Sequence, residues 1–519
     1  MSFTESSRRP IDKVSSDNLA VGFDLLSNLT YMSVLSLGSL PRDQVLEHCA
    51  RQQLKTAVFF DFIYVMAKRV GMEYTRAFQL AAEKARASSI KSLLLRFAAS
   101  ISSGESEREF VIQEAETEGE RYGNEYERGV ENLRKWTDAY AAILISVTLI
   151  MVVSLVSTMM GSLDQNFIVI MAFALFFITG VGVFIIHKVA PVEQYTFDSK
   201  GALPKDRRKA RRWFVLLAPV GFGAAILFGP QYGMMMGSAV AFLAIGLSLL
   251  PAGWYAWKDD GIVRNLDTEF PTFIRSVGNI AGASGVTLTQ ALKRIDTKSM
   301  GSLEPYIDRL NLRLAAHLPT QHCWDAFRAE TGSELVKRTT HMLEDGAELG
   351  GRPDQVGNIC SSFAMNMVQL RAKRALTAST FSFLTLPMHA TMIFILVFVL
   401  EIITNFNSKL GSAAAGLDNY DRGGFAVPDG LAIPPGISLP TQGDLAGGLD
   451  LFGNQDMVMV TFVIVLVVAI LTVANSIAPK AAAGGSNLKL LSYFALMSLV
   501  SGSILAIVPL VTGKIFGIE

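Results

Sequence analysis

Seven apolar stretches, each close to the length a helix needs to cross a bilayer, govern what this chain can fold into. They run over 139–160, 167–186, 213–228, 232–257, 380–403, 457–477 and 488–511. Roughly 20 apolar residues, rising 1.5 Å each, cover the ~30 Å of hydrocarbon in a membrane. Inside lipid a backbone must satisfy its own hydrogen bonds, and continuous runs of this length do so as helices rather than as barrel strands. Composition agrees: half of the 519 residues are hydrophobic and only 18% are charged, against about 25% in an ordinary soluble domain. The fold class expected is therefore an all-α membrane protein with about seven transmembrane helices.

The links between spans set the expected orientation. Residues 162–166 are so few that spans one and two form a hairpin, and Gly229-Pro230 turns span three into span four. Between spans two and three stand Lys200, Lys205, Arg207, Arg208, Lys209, Arg211 and Arg212, the densest basic cluster in the chain, and Lys480 and Lys489 follow span six. Short basic loops stay in the cytoplasm. The 404–456 loop instead carries Asp418, Asp421, Asp429, Asp444, Asp450 and Asp456 and is rich in Gly and Pro, as an outer coil would be. These charges and an odd number of spans predict a cell-membrane protein with its N-terminus inside and its C-terminus outside.

Two polar regions remain, and both show helical periodicity. In the second, Phe270, Phe273, Ile274, Val277, Ile280 and Ala281 share one face, Thr287-Leu288-Thr289-Gln290 has the capping-box pattern, and Gly350-Gly351 followed by Arg352-Pro353 ends one helix and starts another. From there Val356, Ile359, Cys360, Phe363, Met367 and Leu370 carry an apolar stripe into span five without a breaker until Pro387. The first region ends alike, with Tyr122, Tyr126, Val130, Leu133, Trp136 and Tyr140 leading into span one. It opens on Phe59, Phe62, Ile63, Met66 and Val70, then Gly71. Phe59-Phe60-Asp61-Phe62-Ile63 parallels Phe270-Pro271-Thr272-Phe273-Ile274, so the regions read as a degenerate repeat. The organisation predicted is a disordered tail (1–17), a cytoplasmic helical module (18–138), spans one and two (139–187), a basic cytoplasmic loop (188–212), spans three and four (213–257), a second module (258–379), span five (380–403), the outer loop (404–456) and spans six and seven (457–512).

Catalytic signatures are missing from the sequence. There is no GxxxxGK[ST] phosphate loop, no HExxH, no GxSxG and no carboxylate pair within a span. Cys49, Cys323 and Cys360 lie far apart, which argues against a disulfide framework or a thiolate metal site. His317, His322 and Cys323 do not have a ligand spacing and read as helix surface. His389 lies within span five, where helix–helix packing is preferred over a proton relay. Gly233 and Gly237, like Gly180 and Gly182, permit close helix approach. The basic cluster anchors topology and meets anionic lipid, or docks an acidic partner; the acidic 105–120 stretch is a solvated face or a contact for a basic partner. A net charge of zero implies no nucleic-acid partner, and no cofactor or metal is expected.

The second region resembles the F domain of type II secretion and type IV pilus platform proteins. The matching residues are Phe270 to Ile274, the turn with Gly282, Gly285 and Leu288, then Ala291-Leu292, then Ala326-Phe327 and Thr331, and the acidic double-glycine turn with Gly346, Glu348, Gly350 and Gly351. The plan of module, spans, module, spans is similar over nearly the whole chain. The first module departs from the pattern: it has Gly71 but Tyr122-Gly123-Asn124 near the expected double glycine, and in the second Leu318-Pro319 stands where a glycine is usual. Extra spans on both modules look like the archaeal branch, which serves the archaellum and archaeal pili; a paired Tad-type arrangement is similar. The resemblance implies a non-enzymatic platform that contacts a hexameric secretion ATPase, prepilin- or archaellin-type filament subunits and membrane lipids, and it leaves a homodimer open. Lys205, Arg207, Arg208, Lys209, Arg211 and Arg212 would then contact the ATPase or lipid. A polytopic transporter or channel is the competing class, though spans almost free of charge argue against it.

Overall fold

The computed structural model describes residues 19–159, 166–199, 203–420 and 457–515. The tail over 1–17, the 162–165 link with Asp164, Lys200 and the 421–456 part of the acidic loop lie outside the described residues. Among those described the protein is all-α, with one isolated β-bridge between Thr196 and Ser333. Short helices α1 (Leu19–Ser36), α2 (Arg42–Ala50), α3 (Ala57–Tyr64), α4 (Tyr74–Lys84) and α5 (Ser88–Ser103) lead into the long α6 (Glu107–Met159). A hairpin partner α7 (Asn166–Val189) precedes α8 (Lys205–Phe228) and the long α9 (Met234–Ser284). Helices α10 (Leu288–Leu292), α11 (Glu304–Ala315), α12 (Thr320–Thr331) and α13 (Glu334–Glu348) form a second group, followed by α14 (Pro353–Tyr420), α15 (Met457–Ala483) and α16 (Leu490–Ile515).

Eight of the described helices are long and apolar enough to cross a membrane. Seven correspond to the apolar runs, and they leave large side chains such as Phe177, Ile226 and Phe383 uncovered, as lipid-facing residues must be. The eighth, α1, behaves differently. Residues 21–35 are buried without a break against protein, so this helix has found its apolar solvent inside the extramembrane bundle.

That burial changes the expected organisation. One hydrophobic core runs from Val21 to Leu370 and includes both helical groups. Helix α1 joins them: Phe23 stacks on Phe363 of α14 at 6.2 Å, Arg338 of α13 pairs with Asp24 at 2.8 Å and donates to Ser27 Oγ at 3.0 Å, and the Tyr31 hydroxyl donates to Asp345. The two helical groups thus fold as a single bundle.

Three helices pass from the spans into this bundle. Continuity of α6 and α14 follows from their unbroken stripes: Tyr122, Tyr126, Val130, Leu133 and Tyr140 are buried along one face, and Val356, Cys360, Phe363, Met367 and Leu370 along the other. The third is α9, whose helix continues through Pro251 and Pro271. Its span packs on α16 through small residues; a Cβ on Gly246 would stand 2.8 Å from Leu499, and one on Gly253 2.7 Å from Ser492. Of the span glycines singled out in the sequence, Gly182 packs on the Tyr140 ring and Gly237 on the Gly229 backbone. Gly180 and Gly233 have open space around them.

Local periodicity fails at one point in the first group. Residues Val65–Arg69 form a π-helical turn, which inserts extra rotation per hydrogen bond. Val70, counted on the apolar stripe, is turned out and 63% exposed.

Candidate functional site

Three of the family-type glycines, Gly282, Gly346 and Gly351, meet at one place, the first turn of α14. Gly285 ends α9 in the left-handed region (φ 61°), which glycine adopts without steric cost, and Thr287 then caps α10 by accepting from Gln290 N. Ala291 and Leu292 are buried, Leu288 is half-buried, and Glu348 is exposed. A Cβ on Gly282 would lie 2.7 Å from Asp354, and one on Gly278 2.9 Å from the Gly357 Cα, so α9 and α14 cross almost backbone to backbone. Gly346 and Gly351 pack on Val356, and Gly346 also abuts Val34 of α1. Gly350 takes φ 93° beside the Gly38 carbonyl. Gly278, Gly282, Gly346 and Gly351 therefore serve as packing surfaces that hold α1, α9, α13 and α14 together, while Gly285 serves by its backbone conformation.

The basic cluster lies elsewhere, on the first turns of α8, and is helical rather than a loop. Lys205, Arg208, Lys209, Arg211 and Arg212 are exposed, with Lys209 5.4 Å from the centre of the Tyr255 ring. Arg207 does not belong with them. It is 3% exposed, donates from Nε to Asp259 at 2.9 Å and from Nη1 to Asp198 at 2.6 Å, and reaches the carbonyls of Phe197 and Gly332. A partner cannot reach it, because burial of a guanidinium requires that its donors be filled from within.

Arg207 is one of three arginines that fasten the segment between α7 and α8. This strap runs over 190–199 across the place where spans become bundle. Arg371 of α14 donates from Nε to Glu193 at 2.8 Å and from Nη1 to Asp267 of α9 at 2.5 Å, with its guanidinium 4.5 Å above the Tyr195 ring. Arg374, one turn on, donates to Pro191 O at 2.6 Å and to Ala482 O and Ala481 O at 3.0 and 3.3 Å. The last two are end carbonyls of α15, which lack helical partners and carry the negative end of the helix dipole. The strap backbone pairs with the start of α13, through Phe197 N to Gly332 O and Glu334 N to Tyr195 O. Lys337 sits over the Phe197 ring, the Ser333 hydroxyl donates to Asp267, and Tyr126 of α6 approaches both Tyr195 and Glu193 at 3.4 Å. All three helices that leave the spans are thus tied to one ten-residue segment.

Burial sets the electrostatics of this knot. Desolvation pushes the Asp267 carboxyl up to about 6, against the pull of Arg371 and the Ser333 hydroxyl. Burial also works against the charge on Arg371, but Glu193 and Asp267 more than offset it and hold the guanidinium protonated. A buried charge group of this kind contributes little net stability once desolvation is counted, while loss of one member is costly. Its chemistry is that of a tie that fixes helix positions.

Two further features flank the knot. A groove of about 700 Å³ lies between α6 and α14 over α1, lined by Glu116, Glu120, Asn366, Gln369 and Lys373 above Leu26. The acidic stretch that forms one wall is only partly solvated: Glu114 is bidentate to Arg96 at 2.7 and 2.6 Å, and Glu118 is buried. In the spans, His389 Nε2 meets Ser501 Oγ at 3.0 Å, its Nδ1 meets Asn475 Nδ2 at 3.1 Å, and Tyr140 Oη donates to Asn475 Oδ1 at 3.2 Å. Helices α6, α14, α15 and α16 share this polar cluster, which is packing of the kind expected for His389.

Sequence reasoning passed over Glu193, Asp259, Asp267, Arg371 and Arg374. A signal was present for four of them. Arg371 and Arg374 continue the Met367–Leu370 stripe, and Asp259 and Asp267 continue the Val263–Leu266–Phe270 stripe, at the i, i+3, i+4 spacing of a buried face. A charge at such a position points inward and needs a buried partner.

No family model matches the chain, and no solved structure matches it. Curated relatives do. Over 382 residues the chain is 23% identical to a protein of Methanococcus voltae named Flagella accessory protein J, covering 68% of this chain and 65% of the relative. A protein of the same name from Methanocaldococcus jannaschii is 26% identical over 366 residues, covering 67% of this chain and 63% of the relative. The chain therefore spans a little under two thirds of the length of these relatives.

Proposed function

From the premise that this chain is a member of the archaeal flagella accessory protein J family, we propose that it is the membrane platform of a type IV pilus-like filament machine, an archaellum or archaeal pilus. In this reading the helical bundle lies in the cytoplasm, the N-terminus is inside and the C-terminus outside. A separate hexameric secretion ATPase docks on the bundle, and filament subunits are handled at the spans. The platform carries no catalytic step of its own.

The observation that carries the reading is the passage of α6, α9 and α14 from bundle to spans as unbroken helices, joined by the Arg207–Arg371–Arg374 strap. An α-helix transmits axial and tilting displacement because each turn is hydrogen-bonded to the next. A push on the bundle therefore reaches the membrane without a compliant joint. The polar groups within the spans satisfy one another around His389, which gives no support to a transporter or channel.

The test separates docking from transmission. Two glycines inserted after Leu376 place a soft point in α14 between the clamp and the span. Filament assembly should stop, while the variant still copurifies with the ATPase. Normal assembly would sink the proposal, and so would failure of the native protein to copurify with a secretion ATPase and a prepilin-type subunit.

A further inference from the structure

The exposed face of α8 holds a site that the platform reading does not use. Arg208, Arg211 and Arg212 line a groove of about 440 Å³ with Leu203, Val215 and Leu216. Spacing of i, i+3 and i+4 puts the three guanidiniums on one side of the helix beyond its first turn. The acids nearby are committed: Asp198 and Asp259 to Arg207, and Asp206 to Lys258. Among the described residues none of these three arginines has an acidic partner. Like charges at this spacing repel unless an anion joins them.

The groove changes character along its length. Val215 and Leu216, one turn further on, are 66% and 61% exposed and belong to the third apolar run. The height of this change is marked independently by the neighbouring helix. Lys209 contacts Tyr255 and Arg207 contacts Asp259, so α8 and α9 run antiparallel in a known register. On α9 at this level Trp254 and Trp257 stand 5.8 Å apart and are more than half exposed. Exposed tryptophans at the end of a span mark the headgroup layer of a bilayer. The guanidiniums thus lie where phosphates are, and Val215 and Leu216 lie where acyl chains begin.

We infer that this groove binds the phosphate headgroup of an anionic membrane lipid. The arginines hold the phosphate oxygens through charge-assisted, forked hydrogen bonds, and the first part of an acyl chain lies along Val215 and Leu216. The inference does not depend on the platform reading, since it uses only α8, α9 and the bilayer.

The test uses the full chain in an uncharged detergent, titrated with dioctanoyl phosphatidylglycerol, dioctanoyl phosphatidylcholine and inorganic phosphate. The anionic lipid should bind with a measurable Kd, and the zwitterionic lipid and free phosphate should bind far more weakly. Each Arg→Gln change at 208, 211 or 212 should weaken binding about fivefold, and all three together on the order of a hundredfold. The triple Arg→Lys variant keeps the charge but loses the fork, so it should bind more weakly than the native protein and more tightly than the triple Gln variant, which guards against a folding defect in the latter. Arg134→Gln with Lys135→Gln, neutralising other exposed cations near a span, should change little. The inference fails if free phosphate binds as well as the lipid, if the Arg134/Lys135 variant loses as much as the triple Gln variant, or if the triple Gln variant binds lipid normally and loses only the ATPase.

Discussion

Arg371→Met removes the guanidinium that Glu193 and Asp267 share. In the native protein the three side chains are 6%, 0% and 5% exposed. Without the arginine, two carboxylates face each other away from water, and leaving a buried charge uncompensated costs about 3–5 kcal/mol. The triple variant Arg371→Met, Glu193→Gln, Asp267→Asn removes the charges together and should return to within about 1–2 kcal/mol of the native protein, because neutral replacement of a whole buried ion group is close to free. The pH dependence gives a second handle. Burial already holds Asp267 at about 6, above its ordinary 3.8. A carboxyl raised in the folded state favours the protonated form, so its ionisation costs stability as pH rises from the unfolded to the folded value. Loss of Arg371 lifts the folded value further. The deficit of Arg371→Met should thus be largest at pH 8 and shrink at pH 5, as the stranded carboxyl takes up a proton. Thermal unfolding in detergent, followed by circular dichroism, measures both variants beside the native protein. A deficit under about 1 kcal/mol, an equal deficit at both pH values, or a triple variant no better than the single one would refute the assignment of a tightly coupled buried tie.

Other expectations follow from single sites. Glu118, pushed up to about 7 by burial despite Arg121, loses stability for the protein between pH 4.5 and 7; Glu118→Gln should stabilise by roughly 1–3 kcal/mol at pH 8 and leave pH 4.5 unchanged, and an equal shift at both would contradict the titration. Gly357→Val drives a side chain into the Gly278 backbone and should cost about 1–3 kcal/mol or more by overpacking; an unaltered Tm would show that α9 and α14 do not cross so closely. His389→Ala strands the side-chain nitrogen of Asn475 within the spans, while Ser501 keeps Thr472 and the Met497 carbonyl, and should lower stability by about 1–3 kcal/mol, with an unchanged melting curve as the contrary result.

What the sequence disclosed depended on whether the cue was local. The long apolar helices were legible because length and apolarity are properties of a single segment. The passage of α6 and α14 into the membrane was legible because each stripe meets no breaker at the boundary. The continuity of α9 was hidden by Pro251 and Pro271, which ordinarily end or kink a helix. Helix α1 escaped notice since Asp24, Ser27, Asn28, Thr30 and Ser33 dilute its apolarity. Fusion of the two helical groups rests on contacts such as Tyr31–Asp345, some 314 residues apart, and such pairings leave no periodic trace. The glycine motif was visible as spacing, but its work as a crossing surface depends on which helices the fold brings together. Within the basic cluster, Arg207 looks like its neighbours by position, and only its inward direction separates it from Arg208.

Helix α1 has a consequence for how the protein is made. Its partners on α13, Arg338 and Asp345, leave the ribosome more than 300 residues later. At the usual 5–20 residues per second that interval is roughly 15–60 s. During it, an 18-residue apolar helix with the length of a membrane span has no docking site on α13. The fold therefore requires α1 to stay free for α13 until that helix has been made. Asp24 and the polar residues along α1 make lipid a poor destination, and α6, the earliest long partner to emerge, offers the first surface on which it can wait.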